Sequence, residues 1–196
     1  TLFHHGDHFV LIATPTRGEA LHAWIEKWVI MEDVVVEPLG EPVFELLPPA
    51  PGTTSTFEFG QGEATIDLDL WRTWHVGNAV AAGPALAVGP NPLEIGLHHR
   101  IGWTKGCYIG QEVVARLDTY DKVKRRLAVL LFGDDVAMPD TPPAARVGGK
   151  KVGVVLDAIG RCALAVLDKS VESGAKVEVE GLGTAEAEVP PEGVRG

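Results

Sequence analysis

Arg126-Leu-Ala-Val-Leu-Leu-Phe132 opens the part of the chain whose reading decides the fold, because from here on short β-rich runs recur between turn residues. Leu127 to Phe132, Lys150 to Leu156, Cys162 to Leu167, Lys176 to Val179 and Ala185 to Val189 are strand candidates, separated by Gly, Pro and Asp. Short strands at regular spacing with turn signals between them predict a small antiparallel barrel or sandwich. Pro139, Pro142 and Pro143 make residues 140–145 a loop within it. The expected boundary therefore falls at 126, with a C-terminal β-barrel domain over 126–196 and a different kind of structure over 1–125.

Working back from that boundary, the pattern mixes helices and strands. Phe9 to Ala13 reads as a strand, and Thr16 with Glu19 three positions on reads as a capping box opening a helix that runs to about Val29. Leu21, Trp24, Ile25 and Trp28 would form its apolar face. Val34 to Val36, Val43 to Leu47 and Ala64 to Leu70 are further strand candidates, the last from its alternation of Ile66, Leu68 and Leu70 with Asp67 and Asp69. A helix from about Trp71 would end at Gly83 and Pro84, Pro90 and Pro92 bracket a loop, and Gly110 to Leu117 has helical spacing. The fold class expected is α+β followed by a small antiparallel β-barrel.

Composition narrows the function. With 196 residues, 45% apolar and 22% charged, the chain can bury a core and is not intrinsically disordered. The net charge of −10 and pI near 5.1 argue against direct nucleic-acid binding through counterion release. Basic side chains outnumber acidic ones only over 101–130, where 6 stand against 3, so an anion site or a solvated face belongs there. No apolar run approaches the roughly 18–20 residues of a membrane span, and two cysteines make no disulfide scaffold. The expected setting is soluble, reducing and cytoplasmic. The chain begins at Thr1 with a strand pattern almost at once, and a segment ahead of it is expected.

Chemistry concentrates in Lys105-Gly-Cys-Tyr-Ile-Gly-Gln-Glu112. Cys107 stands just ahead of a helix, where free backbone N–H groups, the positive end of the helix dipole and Lys105 all favour thiolate. Such a thiol serves as a nucleophile, a metal or cluster ligand, or a redox handle; the alternative is a small cysteine packed under the loop. Gly106 and Gly110 mark tight backbone, and Gln111 and Glu112 in the first helical turn could orient a ligand. Cys162 lies in an alternating strand and is read as a core residue. His4, His5 and His8, and separately His98 and His99, are histidine groups without a completing carboxylate or cysteine pattern, so no metal site is assigned. Trp71, Trp74 and Trp103 flank the motif; each could fill a core or stack on a flat heteroaromatic ligand.

Lys105 to Glu112 followed by Val113, Val114, Ala115 and Arg116 resembles the signature of the YgfZ family, folate-binding relatives of the glycine cleavage T protein. Gly6 to Val36, Trp74 to Pro84 and Val123 to Arg126 extend the resemblance over roughly residues 6–190. It implies a T-protein-like folate-binding α+β region, N-terminally truncated here, ahead of the barrel. It implies tetrahydrofolate or a one-carbon derivative as cofactor, and iron–sulfur proteins or their assembly factors as partners, in the synthesis or repair of iron–sulfur clusters, with tRNA modification attached to some members. Carried over, Cys107 is the motif cysteine and, with Lys105, the catalytic candidate. Gly106, Tyr108, Gly110, Gln111 and Glu112 flank it, and Trp74 falls where the family lines its folate site. Ala79 to Ala82 replace an Arg and Ile seen in many members, which removes an expected folate-anchoring cation. Lys122, Lys124, Arg125 and Arg126 could meet the folate glutamate tail instead. An accessory role is the leading expectation; a folate-dependent aminomethyl- or methyltransferase is the alternative. Oligomeric state is left open.

Overall fold

The computed structural model describes residues 2–12, 18–31, 33–39, 43–46, 56–59, 65–108 and 110–190. It divides into two compact units, one of residues 1–45 and 57–63, the other of 46–56 and 64–196.

In the first unit, strands β1 (Leu2–His5) and β2 (His8–Leu11) form an antiparallel hairpin that closes on the His5–His8 pair, with Gly6 at a positive φ in the turn. Helix α1 (Gly18–Ile25) stops one turn earlier than the periodicity predicts, and Trp28 falls in the turn beyond it. The expected apolar face is not a core face here: α1 buries no residue, and Trp24 and Trp28 are each more than half exposed with their rings 6.0 Å apart. The Thr16 cap lies outside the described residues. Val34 to Val36 correct a second expectation, because they join no ladder, and the Val36 carbonyl instead accepts from His22 Nε2 at 2.9 Å. β-Branching favours a strand only where a partner edge is available. Strands β3 (Val43–Leu46) and β4 (Thr56–Phe59) pair with each other, the second unpredicted from sequence.

The second unit opens with α2 (Leu68–Gly77), where the alternation of residues 64–70 predicts a strand. Asp67 decides the matter. Its backbone is extended and its carboxylate accepts from the Leu70 N–H at 2.7 Å, so the acid that reads as the polar face of a strand is the N-cap of a helix. The helix also ends before the predicted Gly83–Pro84 stop. Val80 N–H reaches the His75 carbonyl and Ala79 N–H the Val76 carbonyl, a Schellman turn with Ala79 at φ +54. Gly83 and Pro84 instead start the short α3 (Pro84–Ala87). A 3₁₀ turn (Leu97–Arg100) and α4 (Gln111–Thr119) follow.

The C-terminal strands form a closed antiparallel barrel, β5 (Arg125–Ala137), β6 (Ala144–Val147), β7 (Lys150–Asp168), β8 (Lys176–Val179) and β9 (Gly183–Glu188), in spatial order β5-β7-β6-β8-β9 with β9 returning to β5. Two predictions change. The runs Lys150–Leu156 and Cys162–Leu167 are one 19-residue strand, whose first part pairs with β6 and second with β5. Residues 144 and 145, expected in a loop, begin β6.

Strand β7 is buried on both faces. Val155, Leu167 and Ala163 face the barrel interior with Leu130, Phe132 and Val177, while Leu156, Leu164 and Val166 pack outward against Val76, Ala85 and Ile95 of the helical segment. Double burial explains its near-continuous apolar run. A guanidinium fork from Arg72 of α2 to Asp157 (2.5 and 3.3 Å), itself 5% exposed, ties helix to barrel, and the hydrogen bond to Asp157 raises the already high Arg72 pKa. Arg125 makes a second fork onto Glu94, both arms 2.8 Å, holding the 91–96 turn to the first barrel strand.

Candidate functional site

The segment between the 3₁₀ turn and α4 carries the motif. Gly110 at φ +86 is the N-cap of α4, a backbone state that a side chain adopts only at a cost, and no side chain caps the helix there. The Gln111 N–H reaches the Tyr108 carbonyl at 3.2 Å, so the chain turns sharply just after Cys107. Cys107, Lys105 and Gly106 are exposed and Tyr108 and Gln111 half-buried; Ile109 lies outside the described residues. The thiol is thus presented to solvent, which removes the alternative of a cysteine packed under the loop.

Lys105 organises the loop internally. Its stem lies so close over Gly102 that a Cβ there would stand 3.0 Å from the Lys105 Cδ, and its ammonium sits 4.6 Å from the Tyr108 ring centroid. Two of the expected site residues, Lys105 and Tyr108, are therefore brought together by a cation–π contact. Glu112, in the first turn of α4 where its charge suits the dipole, points to solvent and stands 3.9 Å from Arg116.

Trp74 lies on α2, half-buried, its ring edge-to-face with His75 at 4.9 Å and its carbonyl accepting from Asn78 Nδ2 at 2.7 Å. The Trp71 ring also lies against His75, its centroid 4.0 Å away and tilted by 40°. His75 itself is buried, with Nδ1 2.8 Å from the Trp71 carbonyl. Sequence reasoning gave no role to this histidine, although its position falls within the helix expected from about Trp71, because nothing local marks it as buried against two tryptophan neighbours.

The basic stretch at 122–126 is only partly available for an anion. Arg125 is engaged by Glu94, and Arg126 donates from Nη2 to the Lys169 and Val171 carbonyls, whereas Lys122 and Lys124 are exposed, Lys122 5.2 Å from the Tyr120 ring. Cys162 is half-buried against Leu156, Leu164 and Val76; burial, then the nearby Glu188, push its thiol above the ordinary range, with Arg161 opposing. Both cysteines are free.

Among the described residues no three or more His, Cys, Asp or Glu side chains gather as a metal site, and no helix is long and apolar enough to cross a membrane. His4 packs on Phe9, His8 Nδ1 lies 2.9 Å from Asp7, and His98 lies between Trp103 and Asp118. An open depression on the barrel, lined by Arg146, Glu178, Val179, Glu180, Gly183 and Thr184, includes no motif residue.

No protein-family model matches the chain. Over 64 residues it is 48% identical to the Arabidopsis thaliana protein named "Putative transferase At1g60990, chloroplastic", a stretch that covers 32% of this chain and only 14% of that protein. The chain is thus similar, over about a third of its length, to a protein named as a transferase.

Proposed function

We propose that this chain is a tetrahydrofolate-binding, YgfZ-like accessory protein for the synthesis or repair of iron–sulfur clusters, with Cys107 as its working thiol. The observation that carries this reading is the exposed Cys107 loop: a thiol set in front of an uncapped helix start and built around Lys105 and Tyr108, while the second cysteine is packed against the helices. A loop with that geometry suits a nucleophile or transient ligand that meets a partner at the surface. The partners in this reading are folate and iron–sulfur proteins or their assembly factors.

The residues present fit a folate in two respects. Trp74 is half-buried beside His75, and in this reading its indole is the aromatic surface for a pterin or aminobenzoate ring. Lys122 and Lys124 keep their ammonium groups at the surface for a glutamate tail, and since Arg72 is committed to Asp157, α2 adds no cation. Bound tetrahydrofolate would supply a one-carbon carrier; the chain's own part is to hold its rings and present the thiol. Equilibrium binding of reduced folates to the protein and to Trp74→Ala tests the ligand, with weaker binding expected in the variant. Loss of iron–sulfur enzyme activity in cells carrying Cys107→Ala tests the thiol, and full rescue by that variant would overturn the accessory role.

The second reading is a folate-dependent aminomethyl- or methyltransferase of the T-protein type, and the relative's name favours it. Turnover of a methyl- or aminomethyl-folate by the purified protein would select it over the accessory role.

A further inference from the structure

His98 sits where three pieces of the second unit meet. Its Nε2 lies 3.1 Å from Asp118 Oδ1 in the last turn of α4, and its ring lies 5.0 Å from the Trp103 ring, tilted by 40°. Because a carboxylate only accepts, Nε2 carries the proton in this bond. The 3₁₀ turn that bears His98 is anchored by Leu97, which packs against Val76, Ile95 and Leu156.

Asp118 is at an otherwise unfavourable place, since an acid in the last helical turn faces the negative end of the dipole. A hydrogen bond from His98 offsets that. Trp103 is two residues before Lys105, and the last two motif residues, Gln111 and Glu112, open α4, so His98 grips the Cys107 loop upstream through the indole and downstream through the helix. Neither the His98 nor the Asp118 side chain is buried, at 40% and 42% exposure, so the bond can open without disturbing a core. The lysine contact inside the loop, onto Gly102 and Tyr108, is separate from this grip.

We infer that His98 is a positioning residue that latches the Cys107 loop, through Trp103 and Asp118, to the body of the second unit. The consequence for Cys107 chemistry rests on the function proposed above; the latch itself does not. Lys105 provides the readout, because tryptic cleavage after it requires the loop to leave its folded path. In His98→Phe and in Asp118→Ala that cleavage should quicken by about threefold, the scale of an exposed ion pair. The double variant should cleave no faster than either single one, and Asp118→Asn, which keeps an acceptor, should stay near the parent rate. Cleavage after Lys176 in the barrel and the melting midpoint should not move. Additive effects, an unchanged rate at Lys105, or equal acceleration at Lys176 would overturn the latch. If the loop opens as expected while Cys107→Ala still supports iron–sulfur enzymes, the latch stands and the proposed function falls.

Discussion

A cysteine's reactivity is set by whether its thiolate is solvated, and the two cysteines of this chain sit in opposite surroundings. Cys107 is exposed, whereas burial and the Glu188 carboxylate hold the Cys162 proton on. Raising a thiol's pKa lowers its thiolate fraction at neutral pH, so the half-buried Cys162 should gain iodoacetamide labelling only as pH climbs beyond the usual thiol range near 8.5, and at pH 7 should label more slowly than the exposed Cys107. Peptide mapping of alkylation rates against pH checks this; equal rates at pH 7 would contradict it. Trp74 is the second test at this scale. Being half-buried, its loss should cost about 1–2 kcal/mol of stability, less than the roughly 3–5 kcal/mol of a fully buried aromatic, while folate affinity should fall by at least about 1 kcal/mol. Measuring the melting midpoint and the folate Kd on the same Trp74→Ala protein separates ligand stacking from core filling. The motif was readable residue by residue because its neighbours are local in sequence. The grip of His98 on Asp118 was not, since nothing in a 20-residue separation marks two side chains as partners.

Among the elements, both longer helices of the second unit end in the same way. At the end of α4, Lys122 N–H reaches the Leu117 carbonyl and Asp121 N–H the Asp118 carbonyl, with Asp121 at φ +46. The left-handed position of a Schellman turn favours glycine, and an acid there also opposes the dipole. Asp121→Gly should therefore stabilise the protein by about 1 kcal/mol, read as a rise of roughly 2–4 °C in Tm for a chain of this size. A fall in Tm would show that Asp121 makes a contact outweighing its backbone strain. The same motif explains why the end of α2 was misplaced: sequence signals point to Gly83, but Ala79 takes the left-handed position and carries no glycine label. The start of α2 was lost because five residues of polar and apolar alternation satisfy a strand, and only the capping bond from Asp67 distinguishes the helix.

For the molecule as a whole, the second unit is organised around β7, which carries the barrel core on one side and the helices on the other. The Arg72–Asp157 fork crosses that boundary between groups 85 residues apart. Arg72→Met would leave a buried carboxylate without its cation, an arrangement that costs about 3 kcal/mol or more. Denaturant unfolding should show that loss, and Arg72→Met with Asp157→Leu should recover most of it; an unaffected single variant would mean Asp157 finds solvent. Some of this architecture was legible in the chain alone. Strands β5, β8 and β9 and the two halves of β7 follow from short apolar runs between Gly, Pro and Asp, and α4 from its spacing, because each pattern is completed within a few residues, whereas β6 begins where the prolines read as a loop. Tertiary structure decided the rest. Val34 to Val36 have strand propensity but pair with no strand among the described residues, β7 is one strand because two different neighbours pair with its two parts, and the forks on Asp157 and Glu94 join segments far apart in sequence. Propensity and capping act between near neighbours along the chain, whereas ladder pairing, double burial and ion-pair partners depend on what the fold brings alongside, which no local pattern encodes.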